Sequence, residues 1–166
     1  MIGGIGPQVW DLVQQWTPSE TYDHERKYQA ELQEYLDGQL NEGSSMGLGM
    51  GGQRNYAVST ERGTARGDVV VNDTVGIELK RNFSNNQKRK LRGQLEDYGD
   101  NYDFVIACAC GVEDTDGWRE VQNKFTGNQR GMFDMTEFRF IIKRREDFGK
   151  RRDGDGDGLF GSGSLF

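Results

Sequence analysis

The chain has 166 residues, enough for one domain with a real core, and carries a net charge of −6 from 21 Lys and Arg against 27 Asp and Glu. That balance argues against a protein that coats nucleic acid by bulk charge, while leaving room for a local basic patch. A hydrophobic fraction of 34% with 24 glycines predicts extended loop or tail, and no run is long and apolar enough to span a membrane.

Residues 1–6 lack the basic region and apolar core of a signal peptide. Residues 7–16 set Val9, Leu12, Val13 and Trp16 at helical spacing behind Pro7, which predicts a short docking helix over 1–16. Thr17-Pro18-Ser19-Glu20 has the form of a capping box, so a longer helix is expected from there to Asp37, with Gly38 ending it. Its apolar stripe is Tyr22, Tyr28, Leu32, Tyr35 and Leu36. Glu25 falls on that stripe, Glu31 at its edge, and Glu34 points away. An inward carboxylate calls for a partner or a metal; the alternative is a Glu at an exposed helix start that favours the dipole. The glycine-rich stretch 43–52 is a connector or a flap, without the Gly-Lys-Ser/Thr of a phosphate loop.

Residues 55–60 read as a strand. The stretch 67–80 follows as two apolar runs broken at Asp73-Thr74, the pattern of a hairpin. Strand alternation puts Glu78 and Lys80 on one face and Ile77 and Leu79 on the other, and antiparallel pairing brings Asp68 beside Glu78. Asn85 or Asn86 caps a helix to Tyr98, with Gly99 as its stop, and Gln94 and Tyr98 share one of its faces. The first half of that helix holds the main basic cluster, Lys88, Arg89, Lys90 and Arg92. Such a run is a solvated face or, following Lys80 directly, a phosphate contact.

Residues 104–111 are continuously apolar and predict a central strand buried on both faces. Its Cys108 and Cys110 point the same way, too close for an ordinary disulfide, and read as buried reduced thiols of a cytoplasmic protein. Residues 116–125 predict a short helix with Trp118, Val121 and Phe125 on one side, and 138–143 an edge strand. The remainder, 149–166, reads as a flexible acidic Gly-rich tail. Asp153, Asp155 and Asp157 resemble the start of a calcium loop, but its twelfth position is Ser164 rather than Glu, which excludes that reading. The main domain is thus expected over 17–148.

Asp68 and Glu78 are oxygen ligands whose mutual repulsion a divalent cation resolves, and Lys80 beside them can hold a water or neutralise a phosphate. With His24 the only histidine, a histidine-rich metal site is excluded. The competing reading is a simple Glu78–Lys80 salt bridge.

Asp68, then Glu78-Leu79-Lys80, on adjacent strands resembles the motif of the PD-(D/E)XK nuclease superfamily. Glu25-Arg26 with Tyr28 and Leu32 is similar to the first helix of many members, including archaeal Holliday junction resolvases. Gln94 to Tyr98 resembles the Gln-x-x-x-Tyr motif of RecB-like members. Gly67 precedes Asp68 where Pro is common, and the four cysteines of the iron–sulfur branch are missing. The resemblance covers about half the chain, roughly residues 23–111. It implies an α/β, restriction-endonuclease-like core in α-β-β-β-α-β order, a central mixed sheet flanked by helices. It implies a Mg²⁺- or Mn²⁺-dependent DNase in which Asp68, Glu78 and the Leu79 carbonyl bind metal with Glu25 auxiliary. Lys80 positions or activates water, Gln94 and Tyr98 orient the site, and Lys88, Arg89, Lys90 and Arg92 contact DNA. Exonuclease, endonuclease and junction resolvase all stay open, as do a homodimer, a protein partner for the tail, and a viral source. The alternatives are a non-cleaving nucleic-acid-binding or regulatory module of the same fold, or an interaction protein that recruits a partner.

Overall fold

The apolar runs of the sequence assemble into one mixed sheet. The computed structural model describes residues 4–42, 56–60, 68–127 and 135–150. Its strands are β1 (Val58–Thr60), β2 (Val69–Val71), β3 (Val75–Phe83), β4 (Phe104–Val112) and β5 (Glu137–Lys143), lying side by side in that order. β1, β2 and β3 run antiparallel in turn, whereas β3, β4 and β5 are parallel. The parallel half needs crossover helices, supplied by α3 (Lys88–Asn101) and α4 (Thr115–Thr126). Successive crossovers of one hand to successive neighbours place both helices on one face. The opposite face is covered by α1 (Ile5–Gln15) and α2 (Glu25–Asp37). The protein is therefore α/β, with a five-stranded sheet between two helical layers. No helix among the described residues is long and apolar enough to cross a membrane.

Each layer has its own core. Val9, Val13, Trp16, Tyr28, Leu32 and Leu36 pack on Val69, Val71, Ile77, Leu79, Ile106 and Cys108. On the other side Leu91, Leu95, Trp118, Val121 and Phe125 pack on Val70, Val105, Ala107 and Ala109. β4 is buried on both faces, as its unbroken apolar run predicts. Cys108 and Cys110 are free and buried, and burial raises the Cys110 thiol above its ordinary pKa, which keeps it protonated and unreactive. The strand alternation changes near the end of the parallel pair. Asn82 and Gly111 take left-handed φ values of 52° and 85°, and the residues after them, Phe83 and Val112, both turn to the α3/α4 side. Phe83 there meets Trp118 edge to face at 5.1 Å.

Two expectations about boundaries are corrected. Thr17-Pro18-Ser19-Glu20 does not start a helix; α2 begins at Glu25. The local capping signal loses to a carboxylate farther along the chain. Glu31 accepts hydrogen bonds from the Trp16 Nε1–H (2.9 Å), the Ser19 N–H (3.0 Å), the Tyr22 hydroxyl (2.9 Å) and the Ser19 hydroxyl, and so holds the intervening segment against the flank of α2. Gly99 does not stop α3, whereas α2 ends at Asp37 with Gly38 as its cap, as expected. Gly38 keeps right-handed geometry and leads into a π-helical turn, Gly38–Glu42, while α3 runs on to Asn101. The hairpin loop is 72–74, with Asn72 and Asp73 both at φ 51°, and the expected break falls within it. Asn and Asp are the side-chain-bearing residues that best tolerate that conformation.

One buried cation latches the two ends of the fold together. Lys143 on β5 donates from Nζ to the carbonyls of Val13 (2.7 Å) and Gln14 (3.1 Å), the otherwise unsatisfied C-terminal end of α1.

Gly76, in β3, lies under the Tyr102 ring. A Cβ there would sit 2.5 Å from Cδ2 of that ring. Gly76→Ala is expected to cost about 1–3 kcal/mol by overpacking, lowering the melting temperature by roughly 3–10 °C. A calorimetric scan checks this; an unchanged melting temperature would mean that the ring yields freely.

Candidate active site

Glu78 and Lys80 lie on the α3 side of β3, as alternation predicts. Their neighbours in register on β4 are Ala107 and Ala109. These small residues leave volume beside the sheet that larger side chains would fill. Asp68 immediately precedes β2. One step past the Val69–Ile77 pair in the same register, it comes opposite Glu78. Its Oδ2 accepts the Leu79 N–H at 2.8 Å, so the side chain continues the ladder where the β2 backbone leaves off.

Glu78 is held from two directions. Its Oε1 lies 2.8 Å from Lys80 Nζ, and its Oε2 accepts a hydrogen bond from the Tyr98 hydroxyl on α3. Water is almost excluded from the group. Relative exposures are 9% for Asp68, 1% for Glu78, 4% for Lys80 and 3% for Tyr98. The expected salt bridge between Glu78 and Lys80 exists, but as a buried pair within a larger network rather than on the surface.

Burial and the charge of Glu78 push the Asp68 carboxyl up to about 8. The Leu79 N–H and Lys80 pull it down, and Glu25 adds a weaker upward push. At neutral pH Asp68 therefore retains its proton, leaving Glu78 and Lys80 as a balanced pair. Tyr98 is also raised, by burial first and then by the charges of Glu78 and Asp68, so its hydroxyl stays a donor.

Glu25 is placed differently from the other acids. It is the first residue of α2, half-buried, and makes no hydrogen bond or ion pair with a described residue. Tyr22 lies outside the helix, so the stripe that put Glu25 inward loses its first member. The helix-start position matches the dipole reading. Among the described residues no three His, Cys, Asp or Glu side chains gather as a metal cluster. Glu25 is thus coupled to Asp68 through its charge without joining Asp68 and Glu78 in one ligand group.

Gln94 lies one turn before Tyr98 on α3, half-buried, and its Oε1 is buried with no hydrogen-bond partner among the described residues. The basic start of α3 divides in two. Lys88 and Arg92 turn to α4, with Glu120 Oε2 2.6 Å from Lys88 Nζ and 3.4 Å from the Arg92 guanidinium. Arg89 and Lys90 are exposed and make no ion pair among the described residues. Only this second half is free to meet phosphate without breaking an existing pair.

Sequence reading undervalued Glu31 and missed Lys143, Ala107 and Ala109. Glu31 was legible only as an edge residue, and the apolar neighbours of Lys143 gave no sign of its carbonyl partners. Comparison of the chain with protein-family models, with curated proteins and with solved structures gives no match in any of the three.

Proposed function

We propose that this chain is a PD-(D/E)XK-type nuclease with a restriction-endonuclease-like core, hydrolysing phosphodiester bonds of DNA with Mg²⁺ or Mn²⁺. The observation that carries this reading is the set Asp68, Glu78 and Lys80, buried on one face of the β2–β3 hairpin. The mixed sheet, with a hairpin followed by a helical crossover to β4, is compatible with that core.

The donor set fits such an ion. Mg²⁺ is held through one or two carboxylates with water and substrate phosphate completing its shell. Asp68 keeps a proton that a nearby cation would displace, since positive charge favours the ionised carboxylate. Asp68, Glu78 and the Leu79 carbonyl would hold the metal, with Glu25 acting at longer range. A bound ion of this kind polarises a phosphoryl oxygen and eases deprotonation of water. Lys80 contributes three donors beside the carboxylates, to orient the attacking water or to meet phosphate charge. Tyr98 fixes the rotamer of Glu78, and Gln94 offers its unpaired amide oxygen nearby. Arg89 and Lys90, with Lys88 and Arg92 after release from Glu120, would contact the DNA backbone. Reduced Cys108 and Cys110 suit a cytoplasmic setting. The tail, with its suggested protein partner, lies outside the described residues from 151 onward, and a homodimer through α1 or β5 belongs to the same proposal.

The test is purified protein with linear, circular, single-stranded, nicked and four-way DNA, each with Mg²⁺, Mn²⁺ or EDTA. Cleavage of at least one substrate with either metal and none in EDTA is expected. Intact DNA under every condition would sink the reading.

One observation favours a second reading. Both Glu78 oxygens and Asp68 Oδ2 are already engaged within the protein. A network so satisfied serves equally as the polar core of a non-cleaving nucleic-acid-binding module. That protein would bind DNA in a salt-dependent way and never cut it.

A further inference from the structure

The sheet ends on two unlike edges. β1 is three residues long, and shortness is one way natural sheets blunt an edge. β5 runs for seven residues in unbroken register with β4, without proline or bulge, and has no strand on its outer side among the described residues. Backbone hydrogen bonding along a parallel strand alternates between its two sides. The Glu137 N–H donates to the Asp103 carbonyl at 3.1 Å, so residues 137, 139, 141 and 143 bond to β4. Residues 138, 140 and 142 then aim their N–H and C=O groups outward. The Phe138 carbonyl already accepts from Arg139 Nη1 at 3.2 Å. Phe140 and Ile142 have no backbone partner among the described residues. The same stretch is poorly covered, since Phe140, Ile141 and Ile142 are only half-buried. Ile141 and Ile142, whose side chains leave the strand on opposite faces, both line one cleft of about 330 Å³, which therefore opens on the edge itself.

We propose that β5 pairs antiparallel with β5 of a second copy of this chain, joining the two five-stranded sheets into one. Unpaired backbone groups on a strand edge are matched by another strand, and a two-fold axis sets two copies of one strand antiparallel. With the axis beside Ile141, Phe140 and Ile142 of each copy exchange N–H···O bonds. Ile141 then meets its counterpart and Phe140 meets Ile142, so apolar side chains face each other across the pair. β5 also starts acidic and ends basic. Its exposed Glu137 comes beside the exposed Arg144 and Arg145 of the other copy, which make no ion pair with a described residue. Parallel pairing would set like ends together, so the charge pattern selects this one orientation. Arg139 and Lys143 also come opposite, each with its charge already engaged, by Glu137 at 3.1 Å and by the α1 carbonyls.

The test is sedimentation of the full chain from roughly 1 µM to roughly 500 µM. One strand pair is a small interface, so a reversible dimer with a dissociation constant of about 1–100 µM is expected. Ile142→Pro removes a donor that points away from β4, so the ladder within the subunit survives while dimerisation weakens by about tenfold or more. Glu137→Lys and Arg144→Glu/Arg145→Glu, all at exposed positions, each set like charges together and should sediment alone as monomers. Mixed in equal amounts, they restore both charge contacts, and the dimer should return. A parent that stays monomeric throughout, a dimer that a folded Ile142→Pro leaves unchanged, or charge variants that dimerise no better mixed than alone would overturn the proposal. Should Ile142→Pro unfold, the charge variants decide the matter by themselves. DNA cleavage plays no part in the readout.

Discussion

Asp68→Asn is expected to lose the metal-dependent cleavage proposed above, while keeping its fold and flattening the dependence of stability on pH. Asn preserves the oxygen that accepts the Leu79 N–H, so the end of the β2–β3 ladder is retained. It removes the negative charge that a metal requires. Residues that merely support a metal ligand are worth about 10–100-fold in activity, and loss of a ligand should cost more than about a hundredfold. The pH effect has a definite sign. The folded pKa of Asp68, about 8, lies above its ordinary 3.8. Between those values the native state holds a proton that the unfolded chain has released. Stability from this group is fully present below the unfolded pKa and is lost as pH rises through the window, at up to roughly 1.4 kcal/mol per pH unit. Asn does not titrate. Melting temperatures from pH 4.5 to 8.5 should therefore diverge, the variant gaining on the parent as pH rises. Parallel curves would mean that Asp68 is already ionised in the folded state.

Lys80→Ala is expected to destabilise the protein severely, which makes it a poor probe of catalysis by itself. Glu78 is 1% exposed, and the change leaves its Oε1 without a cation. Breaking one side of a buried pair costs roughly 3–5 kcal/mol, or about 6–20 °C at this chain length. Replacing the whole network is expected to be milder, because well-packed apolar groups often substitute for a buried pair without loss. Tyr98 must change as well, since its hydroxyl would lose its acceptor. The triple variant Glu78→Leu/Lys80→Met/Tyr98→Phe should thus melt well above Lys80→Ala, and neither should cleave DNA. Equal melting of Lys80→Ala and the parent would refute the view that the pair is held by mutual burial.

The parts of this molecule that follow from local pattern were legible in its sequence. The unbroken run 104–111 announced a doubly buried strand, and period-two alternation put Glu78 and Lys80 on one face. What depends on distant partners was not. Residues 17–20 carry a sound capping signal, yet Glu31 captures them from across a loop. Helical periodicity gave Gln94 and Tyr98 a common face without saying which layer of the sheet it meets. The basic run was visible, whereas its division by Glu120 arises only when α3 packs on α4. The expected break at Asp73-Thr74 falls within the three-residue loop 72–74, and Asn72 joins it because Asn, like Asp, accepts the left-handed conformation that the turn requires. Glu25 was drawn inward by a stripe that began at Tyr22, and that stripe shortened once the helix started later.

The latch from Lys143 to α1 bears on the order in which the protein forms. Its two hydrogen bonds close contacts across 130 and 129 residues. Contacts of such separation are costly in chain entropy and are made late. α1 precedes β5 in the chain, so these two bonds cannot close until β5 has been synthesised and has joined β4. Until then α1 is held by its packing on α2, β3 and β4, which cover Val9, Val13 and Trp16. In the finished protein, release of β5 breaks this latch, so the last turn of α1, with Val13 and Gln14, should exchange its amide hydrogens more readily whenever β5 opens.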